Sequence, residues 1–405
     1  MSVIVQKYGG SSVANAERIK HVAGRIGQCH DRGNRVVAVV SAMGDTTDHL
    51  IELAHQVAPS PAPREMDLLL STGEIVSCTL VAMALQAAGY KAVSLSGGQA
   101  GIRTDTAHTR ARITGLEPDR IQRELEKGHI VIVAGFQGVT EEMDITTLGR
   151  GASDLTAVAL AAGLRAERCE IYTDVEGIYT ADPRLVPKAR KLKEIGFEEM
   201  LELANYGAKM QPRSIELAAV YNVPVLVSSS FVEAPGTLVH GGVGMEVRNK
   251  VRGIAADRDV AKITVLGVPD RPGIAAALFG PLAQEGISVD TIVQNASVEH
   301  ITDMTFTVSR RDLRRALEVI GPVAKSIGSR GCVSDDRLAK VSIVGTGMLN
   351  APGFAATMFR TLSEAGINIE MITTSEIRIT CLVAEDRVPA AVQALHAAFR
   401  LDEDQ

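Results

Sequence analysis

From residue 1 to about residue 240, short apolar runs alternate with longer stretches in which apolar residues return every third or fourth position. The runs Val3–Gln6, Val36–Val40, Ala92–Leu95, Ile130–Ala134, Glu170–Thr173 and Val223–Val227 have the length and apolar density of parallel strands covered on both faces. Helical spacing predicts helices over Val13–Ile26, Thr47–Val57, Met66–Ala88, Pro118–Glu126, Ser153–Ala162, Phe197–Asn205 and Pro212–Tyr221. Strands and helices in alternation imply a mostly parallel sheet between two helical layers, a three-layer αβα sandwich. In such sheets ligands sit beyond the carboxyl ends of the strands. Lys7, Ser41 and Asp174 fall at such ends.

Past Val243 the pattern changes. The charged stretch Glu246-Val247-Arg248-Asn249-Lys250 reads as a boundary, and beyond it lies an internal repeat. Over the 19 positions 272–290 set against 352–370, 8 residues are identical, including both Pro-Gly pairs (Pro272-Gly273, Pro352-Gly353). Each copy reads as strand (Ile263–Leu266; Val341–Val344), Pro-Gly turn, amphipathic helix, glycine, then a strand over Gly286–Val289 or Gly366–Ile369. Further segments follow, Met304–Val308 with Leu313–Ile320 and Ile377–Val383 with Val388–Phe399. This βαββαβ rhythm predicts two small ferredoxin-like modules. Two copies are too few for a solenoid. The expected division is therefore 1–245, a linker 246–262, then modules 263–336 and 337–405.

Composition narrows the function. The 405 residues suffice for two or three domains. Aromatics make up 3%, tryptophan is absent and the formal charge is −6, which argues against a nucleic-acid partner. No run of eighteen apolar residues lacks charges, so no membrane span is expected, nor does the N-terminus read as a secretory signal. Five scattered cysteines (29, 78, 169, 332 and 381) read as free thiols in a reducing cytoplasm rather than disulfides or metal ligands. The nine histidines show no HExxH spacing.

Four loops gather groups that could do chemistry. Lys7-Tyr8-Gly9-Gly10-Ser11-Ser12 links the first strand to the first helix: a cation, two glycines that allow close backbone approach, and a helix start with unpaired N–H groups suit a phosphate. Ser41-Ala42-Met43-Gly44 follows the second strand. Gly149-Arg150-Gly151-Ala152-Ser153-Asp154 opens an apolar helix, and Thr173-Asp174-Val175-Glu176-Gly177-Ile178-Tyr179, then Asp182-Pro183-Arg184, follows Glu170–Tyr172. Singly, each could be a cap or a turn. Together, at strand ends of one sheet, they indicate a site. GxxxxGK[ST] is absent, as are the HRD and DFG elements, so neither a Walker loop nor a protein-kinase arrangement applies.

Lys7-Tyr8-Gly9-Gly10-Ser11-Ser12-Val13 resembles the lysine–aromatic–Gly-Gly signature of aspartate kinases, with Tyr8 and Ser11 where Phe and Thr are more usual. Ser41–Gly44, Ser71-Thr72-Gly73-Glu74, Gly149–Asp154 and Tyr172–Gly177 match further motifs of that family in its order, with Ala152 and Leu155 as small departures. The repeat resembles the paired ACT domains of the same enzymes. The resemblance implies an amino-acid kinase fold over 1–245 and transfer of the ATP γ-phosphoryl to L-aspartate, with Mg²⁺ on the phosphates and no dedicated protein metal cage. This would be the first step toward lysine, threonine and methionine.

It further implies roles. Lys7 and Asp154 would be catalytic, Asp154 orienting Lys7. Lys7, Gly9, Gly10, Ser11, Thr173, Asp174, Tyr179, Arg184 and Lys209 would bind ATP, and Ser41, Thr47, Glu74, Arg150 and Ser153 the aspartate. Asp270, Gly273, Ala275 and Gln294, facing Asn368 and Ile369 of another module, would bind lysine or threonine as effectors. Homo-oligomerisation through the modules is expected, with an α2β2 form if Met245 serves as an internal start. The competing expectations are a kinase of the same fold acting on glutamate, N-acetylglutamate, carbamate or UMP, and a sensor without activity.

Overall fold

A computed structural model describes residues 2–205, 210–242, 251–295, 300–346, 348 and 352–403. The chain divides into two units, one of residues 1–179 with 191–244 and one of 180–190 with 245–405.

The first unit is built on an eight-stranded sheet, in the order Glu194–Gly196, Thr237–His240, Val225–Ser229, Arg168–Thr173, Val3–Tyr8, Arg35–Val40, Ile130–Ala134, Ala92–Leu95. Every pairing is parallel except that of Val225–Ser229 with Thr237–His240. Alternation along Val3–Tyr8 assigns the layers. Ile4 and Tyr8 join the core formed with helices Ala16–Asp31 and Pro63–Ala87. Val5 and Lys7 face the other way, toward the layer of helix Ser153–Gly163, which packs on this strand. The αβα expectation holds, and the carboxyl ends of the central strands share one edge, where Lys7, Ser41 and Asp174 stand.

Two details differ from the sequence reading. The first long helix begins at Ala16, not Val13, because a 3₁₀ turn occupies Gly10–Val13 and Asn15 caps the helix, its Oδ1 accepting the Arg18 N–H at 2.9 Å. A second sheet, Ile113–Leu116, Ile102–Thr104, Gln137–Val139 and Ile145–Thr147, carries three- and four-residue strands too short to show a period. Helix Pro63–Ala87 is long and apolar enough by length and composition to cross a bilayer, with a mean hydropathy of 1.8 over its most apolar window. Half of that window is buried in the unit, and Asp67 and Glu74 lie on its buried face, so it serves as a core helix.

The second unit holds two four-stranded antiparallel sheets. One runs Ile292–Gln294, Ile301–Val308, Ala261–Pro269, Gly331–Asp335; the other runs Met371–Ser375, Arg378–Ala384, Leu338–Val344, Gly253–Asp257. Helices Ile274–Gln284 and Leu313–Ser326 cover the first, and Phe354–Glu364 and Val388–Ala398 the second. The repeat is thus two modules of one design. Both Pro-Gly turns put a left-handed glycine at a helix start, Gly273 at φ +91° and Gly353 at φ +115°.

Gly253–Asp257, inside the stretch read as linker, is a strand. It fills in the second module the place that Gly331–Asp335 fills in the first, so the second module takes one strand from ahead of the first. The segments Gly286–Val289 and Gly366–Ile369, read as strands, are irregular. Ile287 and Ile367 plug the cores, and the strands come later, at Ile292–Gln294 and Met371–Ser375. Reciprocal ion pairs tie the modules: Lys262 to Glu370 at 3.2 Å, and the buried Lys340 to Asp290.

Thr180–Arg190 also belongs to this unit. Ala181 and Val186 lie in the second module's core, Thr180 Oγ1 is 2.9 Å from His396 Nε2, and Thr180 O accepts the Ile254 N–H at 2.7 Å. The five cysteines are free thiols, four of them buried and Cys332 half-buried.

Candidate active site

The site grows from the strand Val3–Tyr8. Its side-chain alternation turns Lys7 toward helix Ser153–Gly163, whose first turn carries Asp154. The Lys7 ammonium lies 2.7 Å from Asp154 Oδ1, with both side chains about one-tenth exposed. The contact is an ion pair rather than an aligned hydrogen bond. Asp154 is also well placed at the positive end of its helix dipole.

Gly9 and Gly10 follow. A Cβ on Gly9 would point to within 3.5 Å of the Lys7 Nζ, so the absent side chain leaves room in front of the ammonium. At Gly10 a Cβ would meet the Ala42 carbonyl oxygen at 2.7 Å, which only glycine tolerates. Close approach lets Gly10 O accept the Gly44 N–H at 3.1 Å, locking the first loop to Ser41–Gly44. Ser12 Oγ donates to Ser230 Oγ at 2.8 Å, and Ser230 in turn binds Thr173 O. Three strand-end loops are thereby stitched together.

On the aspartate side, Ser41 Oγ is 3.0 Å from Ser153 Oγ. Glu74 is 3% exposed; one oxygen accepts the Ala42 N–H at 3.1 Å and Oε2 has no partner among the described residues. Burial pushes this carboxyl up to about 7, against the pull of the backbone hydrogen bonds. An orphaned buried carboxylate oxygen is what a cationic substrate group would satisfy. Arg150 is 81% exposed and pairs with Asp48, in the helix that also carries Thr47. An exposed pair of that kind is worth little, so Arg150 can exchange it for another carboxylate at small cost.

Not every expected residue joins this cluster. Ser11 is exposed at its rim. Thr173 Oγ1 donates to the exposed Asp174 at 3.1 Å at the end of the strand Arg168–Thr173. Tyr179 bridges to Lys191 further along the same loop. Arg184 chelates Asp182 at 2.7–3.1 Å and belongs to the second unit. Lys209 and Met245 lie outside the described residues.

In the second unit, Asp270, Gly273, Ala275 and Gln294 are all exposed. Asn368 is exposed and donates to Glu370 at 2.8 Å, with Ile369 half-buried beside it. Sequence reasoning missed Gly135, whose Cβ would sit 2.8 Å from Ser153 Oγ, and Asp67, buried two helical turns before Glu74. A glycine directly after the apolar run Ile130–Ala134 was the available signal for the first. A charge inside an apolar helix was the signal for the second.

The sequence matches the Amino acid kinase family over residues 2–229 and the ACT domain over residues 262–323 and 341–399. An aspartate kinase of Stutzerimonas stutzeri is 50% identical over 404 residues, covering 99% of this chain and 98% of that protein. The chain belongs to the amino acid kinase family, in its aspartokinase branch. An aspartokinase of Corynebacterium glutamicum is 51% identical over 407 residues, covering 99% of this chain and 97% of that protein. Among solved structures, Escherichia coli aspartokinase III in complex with aspartate and ADP aligns with a TM-score of 0.85 at 28% identity, covering 98% of this chain and all of that one. The same enzyme with lysine and aspartate aligns at 0.76, covering 98% and 99%. These matches bear out the expected aspartokinase and its ACT modules.

Proposed function

We propose that this chain transfers the γ-phosphoryl group of ATP to the β-carboxylate of L-aspartate, giving 4-phospho-L-aspartate and ADP. A carboxylate oxygen forms the new P–O bond as the bond to the β,γ-bridging oxygen breaks, and ADP leaves with that oxygen. The nucleophile has an ordinary pKa of about 3.9 and is already ionised at neutral pH, so no general base is needed. The obstacle is the approach of one anion to another, and catalysis is mostly positioning and charge neutralisation.

The chain supplies both. Lys7 neutralises the transferring group, Asp154 fixes Lys7 in place, and Gly9 and Gly10 let the backbone close on the phosphates. Mg²⁺ would ride on phosphate oxygens and water, which it prefers to an all-protein cage. Glu74 takes the substrate ammonium and Arg150 its α-carboxylate, with Ser41, Thr47 and Ser153 as hydrogen-bond partners. Thr173, Asp174 and Tyr179 line the nucleotide side, with Arg184 and Lys209 proposed there on the family resemblance alone. The observation that carries this reading is the buried Lys7–Asp154 pair standing beside the glycine loop. A cytoplasmic location is proposed with it, as fits these substrates.

A substrate panel tests it. With ATP and Mg²⁺, ADP release should be fastest with L-aspartate and trappable by hydroxylamine as the hydroxamate. Faster turnover of glutamate, N-acetylglutamate, carbamate or UMP would reassign the substrate.

The two modules serve as the regulatory part. Lysine and/or threonine is proposed to bind at Asp270, Gly273, Ala275 and Gln294 against Asn368 and Ile369 of another module, with a homo-oligomer formed through the modules; the reaction is proposed as the first, feedback-controlled step toward lysine, threonine and methionine. Because the modules carry none of the proposed catalytic groups, inhibition acts by biasing two states. Isothermal titration of the full chain should register one effector or both together; no heat from either, alone or combined, defeats the regulatory reading. An α2β2 assembly using Met245 as a second start is proposed on position alone, and one product under native initiation signals would exclude it.

A further inference from the structure

Asp67 has no exposed surface, and nothing in the phosphoryl chemistry calls for it. Three donors converge on its carboxylate. The Thr109 N–H lies 3.0 and 2.9 Å from the two oxygens, His108 Nδ1 donates to Oδ2 at 2.8 Å, and Thr147 Oγ1 donates to Oδ1 at 2.6 Å. Thr109 sits at φ +68°, a strained conformation for a β-branched residue that persists only where surroundings impose it.

What Asp67 holds is the back of the substrate loop. Thr147 ends its strand one residue before Leu148 and three before Arg150. Ala111 N–H donates to Thr147 O at 2.9 Å, and Arg213, on helix Pro212–Val220, donates to Leu148 O and Ala111 O at 2.8 and 3.2 Å. Residues 108–111 are therefore gripped by a carboxylate from one helix and a guanidinium from another. Asp67 and Glu74 are two helical turns apart on one buried face. One rigid helix thus carries a group for the substrate ammonium and, through Asp67, braces the loop that carries Arg150 and Ser153.

We propose that Asp67 is the positioning residue of the substrate-carboxylate arm, setting the spacing between Glu74 and the Arg150–Ser153 loop to which an amino acid must fit. The inference rests on the reading of Arg150 as the partner of the substrate α-carboxylate. Misplacement of such a group by even an ångström has large kinetic consequences.

Two variants of the full chain test it. Asp67→Asn keeps the size and alters the donor–acceptor pattern; Thr147→Val keeps the shape and removes one donor. Both should raise the KM for aspartate, Asp67→Asn by at least about tenfold, with kcat changed less than about threefold and ADP affinity unchanged. Adding Arg150→Ala to Asp67→Asn should cost less than Arg150→Ala costs alone, since both act on one contact. An aspartate KM within about twofold of wild type in either folded variant, or ADP affinity falling in step with it, would overturn the proposal. Should Asp67→Asn fail to fold, Thr147→Val decides. Failure of the underlying reading shows separately, as an unchanged aspartate KM in Arg150→Ala alone.

Discussion

Replacing Lys7 with alanine should lower kcat at least about a hundredfold, the scale of losing one preorganised charge at a developing anion. The fold should stay intact but lose stability: Asp154 would be left as a buried carboxylate without its cation, and breaking a buried pair from one side costs about 3–5 kcal/mol. Lys7→Ala should therefore also melt lower. The double variant Lys7→Met with Asp154→Leu removes both charges and should recover the melting temperature but not the turnover. Steady-state kinetics beside thermal melts separate the two effects. A near-wild-type kcat in Lys7→Ala would take this lysine out of the reaction.

The second large effect is expected at Glu74. Its carboxyl is pushed up to about 7 by burial, and the substrate ammonium needs the ionised form. In the free enzyme kcat/KM for aspartate should rise with pH through about 7 and then level, standing on the order of tenfold below the plateau at one unit under that pKa. Glu74→Gln keeps the shape and removes the charge; KM for aspartate should climb about a hundredfold, and this limb of the pH profile should vanish. Stability moves in the opposite sense. A carboxyl raised in the folded state stabilises when protonated, so its contribution is full below the ordinary carboxylate range near 4.5 and is lost as pH rises through about 7. Glu74→Gln should melt close to wild type at pH 5 and above it at pH 8. A flat pH profile in the wild type, or a Gln variant with near-native KM, would remove Glu74 from substrate binding.

Much of this site was legible along the chain because parallel α/β folds put function at strand ends. Ala92–Leu95 and Ile130–Ala134 were read to the residue, since a buried parallel strand is a closed apolar run with abrupt polar ends. Lys7, Ser41 and Asp174 stand out by adjacency to such ends. Asp67 did not, because a single charge in an apolar helix carries no sign of the backbone amide and hydroxyl that will meet it from residues 109 and 147. Nor does the sequence reveal that Thr180–Arg190, which carries Arg184, packs in the second unit while its motif neighbours belong to the first.

By itself the sequence determined the alternation of elements, the two-module repeat and the residue types that can hold phosphate and an amino acid, because each depends on short-range periodicity or local turn chemistry. Tertiary structure alone decided that Lys7 and Asp154 meet in a nearly buried pair, that one Glu74 oxygen has no partner among the described residues, and that Gly253–Asp257 completes a module beginning some eighty residues later. Those outcomes depend on burial and on contacts between distant segments, and such contacts leave no period in the chain.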